Sequence, residues 1–112
     1  MFKRKFTGLA ICVAMSPMFY PQISSAGIFK SGEVLEWPRD SQSFYYRTSV
    51  AMAGLIAARN SKDHSNCVDQ WYFLDTKKAD EAITEMMRET PDYHPQAVIL
   101  AMLQKACGSF TY

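Results

Sequence analysis

Residues 40–60, DSQSFYYRTSVAMAGLIAARN, carry Phe44, Thr48, Ala51, Met52, Leu55, Ile56 and the aliphatic stem of Arg59 at intervals of three and four. That is the period of an amphipathic helix, and the spacing predicts one from about Asp40 to Asn60 with this stripe against the core. The second half of the stretch is rich in small residues, with Gly54 among them. A glycine inside a helix costs about 1 kcal/mol relative to alanine. Gly54 therefore marks either a close approach of another element or a tolerated glycine.

Upstream, Glu33-Val34-Leu35-Glu36-Trp37 reads as one helical turn capped by Ser31 and stopped by Pro38. Downstream, Ser61 to Asn66 is polar and reads as a loop, and Cys67 to Leu74 reads as an aromatic cluster lying over the core. Asp75 or Thr76 then caps a helix with Ala79, Ala82, Ile83, Met86 and Met87 on one face and charged residues on the other. A turn follows at Thr90-Pro91-Asp92-Tyr93. The last helix opens at Pro95, carries Val98, Ile99, Met102, Leu103 and Ala106, and ends at Gly108. The expected fold is all-α, a small domain of three to four helices with no strand.

The chain is 112 residues long with 48% apolar and 21% charged residues, which excludes a wholly disordered chain and a large multi-domain enzyme. Lys3, Arg4 and Lys5 precede the apolar run Leu9 to Phe19, and Ser24-Ser25-Ala26 supplies small residues where a signal peptidase cuts. The expected organisation is a signal peptide over residues 1–26, cleaved between Ala26 and Gly27, and a helical domain over residues 27–112. Pro17, Pro21 and Gln22 make the apolar run too short for a stable membrane anchor. Removing residues 1–26 from the 112 leaves 86. It takes three of the twelve Lys/Arg and none of the eleven Asp/Glu, so the remainder stands at −2. Nucleic acid is then an unsuitable partner, because no basic patch is present to neutralise phosphates.

Export also changes the reading of the cysteines. Cys12 leaves with the signal, and Cys67 and Cys107 are expected to pair in an oxidising compartment, where a staple offsets the small core of an 86-residue domain.

No set of residues points to catalysis. His64, Cys67, His94 and Cys107 are a zinc set by type only, since His94 and Cys107 lie at opposite ends of one expected helix, roughly 18–20 Å apart. A thiol hydrolase using Cys67 with His94 needs a free thiol and a cleft. Asp80, Glu81, Glu85 and Glu89 fall on a helix face and read as solvated. No metal or other cofactor is expected. The expected partner surface combines Trp37, Tyr45 and Tyr46 with the loop residues His64, Ser65 and Asn66, as aromatics off the core stripe beside a loop held by the disulfide.

In order and spacing these segments resemble the Rap/Tai family of periplasmic immunity proteins, which protect bacteria from amidase toxins delivered by type VI secretion. Leu35-Glu36-Trp37 resembles the family's opening turn, and Val50 to Ala57 its first long helix with a central glycine. Asn66-Cys67 resembles its central cysteine. Ala82 to Pro91, and Pro95 to Leu103 ending at Cys107, resemble its last two helices and terminal cysteine. Relatives often carry a cysteine where this chain has Pro38, and a proline where it has Val68 and Asp69. The resemblance implies a periplasmic protein-binding module whose partner is a secreted amidase toxin, with no catalysis of its own; a homodimer is left open. The alternative from another class is an acid-stress chaperone of the HdeA type, although the chain ends Cys107 to Tyr112 without the lysine-rich tail such chaperones use.

Overall fold

In the computed structural model, residues 29–110 are described, and the expected cleavage point between Ala26 and Gly27 lies outside them. Five helices follow in order: α1 Ser31–Val34, α2 Arg39–Ala57, α3 Lys62–Phe73, α4 Thr76–Glu89 and α5 Pro95–Cys107. No strand occurs among the described residues. None of these helices is long and apolar enough to cross a membrane.

The ends of α4 and α5 follow the sequence signals. Asp75 accepts a hydrogen bond from the Lys78 amide at 3.2 Å and caps α4. Pro95 opens α5, and Gly108 ends it with φ of 101°, a left-handed conformation that favours glycine. The start of the chain differs from expectation. Ser31 is not a cap but lies inside α1, buried, with its hydroxyl donating to the Tyr93 carbonyl at 2.9 Å. The amides of Ser31 and Gly32 also donate to the carbonyls of Tyr93 and Pro91, so α1 is pinned to the turn between α4 and α5.

Residues 62–66 are helical rather than a loop, because Ser61 caps α3 by accepting from the His64 amide at 3.0 Å. The aromatic cluster is therefore the second half of a helix that buries Val68 and Tyr72. Five helices replace the expected three to four. Cys67 on α3 is bonded to Cys107 at the end of α5, with Cα atoms 5.8 Å apart.

The core is built from Val34, Tyr46, Val50, Ala53, Ala57, Val68, Tyr72, Ala79, Ile83, Met87, Val98, Ile99 and Leu103. In α2 this is the face opposite to the expected one. Tyr46, Ser49, Val50, Ala53, Gly54 and Ala57 point inward, while Phe44, Met52 and Leu55 point out. Small residues won the interior because α3 crosses close over them. A Cβ placed on Gly54 would lie 2.5 Å from Asp69 Oδ1, and the Ser65 hydroxyl donates to the Gly54 carbonyl at 3.0 Å. Gly54 thus marks a close approach.

A side chain there must displace the Asp69 carboxylate, and a bulky one also crowds the face of α3 behind it. Gly54→Leu is expected to lower stability by about 1–3 kcal/mol in urea unfolding. With Asp69→Ala already made, Gly54→Ala is expected to raise it by up to about 1 kcal/mol, since only the helix-propensity gain remains. Equal effects of Leu and Ala would show that no close approach exists.

Candidate binding surface

The structure separates the six expected surface residues into two groups. Tyr45 sits in the second turn of α2, whereas His64 bonds to Asn60 just past its other end. At 1.5 Å per residue these points are about 20 Å apart, too far for one contiguous anchor patch.

Tyr46 is a core residue with 0% exposure, and its hydroxyl pairs with Thr84 Oγ1 at 2.9 Å, so it is not a surface anchor. Because the buried side of α2 lies opposite the periodic stripe, Tyr46 falls in the core and not on the surface. Trp37 and Tyr45 are half-buried in an aromatic cluster with Phe29 and His94, at centroid distances of 5.6–6.2 Å. Gln96 on α5 donates to the Tyr45 hydroxyl at 2.8 Å and to Ser49 Oγ at 2.7 Å. The cluster ties the chain start and α2 to the beginning of α5, which is a packing role.

On α3, His64 Nδ1 accepts from Asn60 Nδ2 at 2.9 Å and the ring leans on Phe110 at 4.8 Å. Its Nε2 is buried without a hydrogen-bond partner. Ser65 is bonded inward to Gly54. Asn66 is exposed beside a shallow 510 Å³ depression lined by Asp63, Gln70, Trp71 and Leu74.

The side of α2 that the periodicity assigns to the core instead faces solvent and forms an apolar stripe. Phe44, Met52 and Leu55 are 58%, 58% and 70% exposed, and Thr48 and Ala51 are exposed between them. Their positions place all five on the side of α2 away from the core. Large apolar side chains aligned at helical spacing on an outward face are the kind of patch that marks an interaction site. The signal was present in the sequence, but one helix carries two apolar faces and periodicity alone does not say which is buried.

A polar groove of about 750 Å³ runs between the first half of α2 and α4, lined in part by Arg39, Ser43, Asp80, Glu81, Thr84 and Arg88. Asp80 joins three helices there. It accepts from Tyr72 on α3 at 2.5 Å and from Ser43 on α2 at 2.7 Å. Both bonds tie the groove wall together. Among the described residues, no group of three His, Cys, Asp or Glu side chains is placed to hold a metal ion.

Burial, and then the bond to Asp80, push the Tyr72 phenol from its ordinary 10.0 up to about 12. Burial moves Tyr45 and Tyr46 in the same direction. A raised folded-state value means that the neutral phenol is favoured by folding. The associated stability is fully present below pH 10 and is lost as pH climbs through about 12. Ultraviolet titration is expected to show a late-ionising tyrosine, and Tyr72→Phe is expected to flatten the loss of stability over that window. An unchanged alkaline profile in Tyr72→Phe would place the titration elsewhere.

No protein-family model matches this chain, and comparison with curated proteins and with solved structures likewise finds no match.

Proposed function

We propose that this protein is an exported protein-binding module of the kind its sequence resembles, a periplasmic immunity protein of the Rap/Tai type. On this reading it protects by covering the active site of a type VI secretion amidase, without catalysis of its own. The observation that carries the proposal is the outward stripe of Phe44, Met52 and Leu55 on the longest helix. A domain that leaves three large apolar side chains in a row on its surface invites a protein partner. The disulfide between α3 and α5 supports the same reading, because a stapled scaffold loses little freedom on association.

The test is co-expression with a panel of type VI secretion amidases, followed by size-exclusion chromatography and a peptidoglycan hydrolysis assay. A stable complex and loss of hydrolysis at equimolar ratio are expected. Intact mass of the protein from the envelope fraction is expected to begin at Gly27. No complex and no inhibition, together with suppression of client aggregation at low pH, would replace this reading by the HdeA-type chaperone.

A further inference from the structure

We propose that the Cys67–Cys107 bond is open, in the folded chain, to exchange with a dithiol oxidoreductase, and that the attack falls on Cys67 from the depression between α3 and α5. The proposal stands apart from the protein-binding reading above. Two observations tell the sulfurs apart. Cys67 lines the depression, together with Asn66, Gln70 and Trp71 of α3 and Ala106 of α5, and Cys107 does not. Cys107 is partly buried and packed against the core, and Cys67 has no share in that packing.

This asymmetry decides where a thiolate can strike. In thiol–disulfide exchange the incoming sulfur approaches the attacked sulfur from the side opposite the leaving one. With Cys67 toward the depression and Cys107 toward the core, the approach to Cys67 begins in solvent, whereas the approach to Cys107 begins in the interior. The chain after Cys107 closes the far side further. Asn60 Nδ2 donates to the Ser109 carbonyl at 3.4 Å, and the Phe110 ring lies 4.8 Å from that of His64, one turn before Cys67.

The lining of the depression favours a protein over a small free thiol. Asp63 is the one charged residue that lines it, so an anionic thiolate meets a carboxylate and no cation to draw it in. Trp71 and Leu74 supply apolar contacts instead, and Leu74 is 80% exposed. A thiol carried on a protein surface can use them.

The partner must also be a dithiol. Its first thiolate bonds to Cys67 Sγ as the Cys67–Cys107 bond breaks, and Cys107 leaves as a thiolate that takes a proton from water. While the chain stays folded, Cys107 remains beside Cys67 and can attack the mixed disulfide in return, at a high effective concentration. A monothiol is expelled in this way. In a dithiol, the second thiolate attacks the partner's own first sulfur, closing the partner's disulfide and releasing Cys67 as a thiolate. The partner is oxidised by one disulfide and this chain is reduced by one. Opening the bond removes the tie between α3 and α5, so a redox change is converted into a change of fold.

The experiment uses the oxidised full chain and, as probe, thioredoxin whose resolving cysteine is replaced by serine, which traps the mixed disulfide. Acid quenching at early times and peptide mapping then locate the adduct. Cys67 is expected to carry it in about tenfold excess or more over Cys107. Gln70→Trp, at an exposed position lining the depression, is expected to slow adduct formation about tenfold. Urea unfolding checks that this variant keeps its stability. Equal or greater adduct on Cys107, or an unchanged rate in a stable Gln70→Trp, overturns the inference. So does a rate no faster than global unfolding, or no adduct at all, because exchange would then need the unfolded chain.

Discussion

Reduction of the Cys67–Cys107 bond, or Cys107→Ser, is expected to lower stability by about 4 kcal/mol. The bond spans 40 residues, and constraining the unfolded chain over such a loop has that value on the chain-entropy model. For a domain of this size the loss corresponds to a fall in Tm of about 15–30 °C. The position of the bond gives a reason to expect the full effect. Helix α3 fully buries only Val68 and Tyr72, so its hold on the core by packing is thin. The covalent link ties it to α5, which buries Val98, Ile99 and Leu103. Hydrogen exchange on reduction is expected to rise first in α3, before α2 and α4 open. Calorimetry with and without reductant checks the magnitude. A drop of less than about 1 kcal/mol would mean that packing alone holds α3 in place.

How much of this was legible in the sequence depends on what each signal measures. The ends of α4 and α5 were, because Asp75, Pro95 and Gly108 act through local backbone chemistry that needs no tertiary partner. The disulfide was, because only two cysteines remain after residue 26. Helix α3 was not. Its apolar content is concentrated at Val68 and from Trp71 onward, and its first turn, Lys62-Asp63-His64-Ser65, is polar throughout. The one available signal was Ser61, a good cap residue with Asp63 in the first turn after it. The candidate surface was half legible. Periodicity picked out Phe44, Thr48, Ala51, Met52 and Leu55 as one face, but which face is buried follows from what α3 can approach. The Asp69 side chain of α3 lies against Gly54 and leaves no room there for a large side chain, and this is a property of the pair of helices rather than of either one.

Those two faces of α2 can be told apart by truncation, and the contrast is the second large effect expected. Tyr46→Ala is expected to lower stability by about 3–5 kcal/mol, the usual range for an aromatic residue deleted from a packed interior. Its ring is fully enclosed, and its hydroxyl is bonded to Thr84 on α4 and lies 3.8 Å from the Met87 sulfur. Tyr46→Phe keeps the ring and leaves Thr84 without that partner, so a loss of only about 1 kcal/mol is expected. Phe44→Ala and Leu55→Ala, from the outward face, are each expected to change stability by no more than about 0.5 kcal/mol, since water already surrounds most of both side chains. The four variants are compared by urea unfolding with a common m-value. If Phe44 or Leu55 proved as costly as Tyr46, the outward stripe would be part of the core, and no large apolar surface would remain on α2 for a partner. If the contrast holds, the chain carries on one helix an apolar face that folding uses and a second that folding leaves to water. A natural sequence keeps such a second face at a risk of aggregation, which a binding partner removes by covering it.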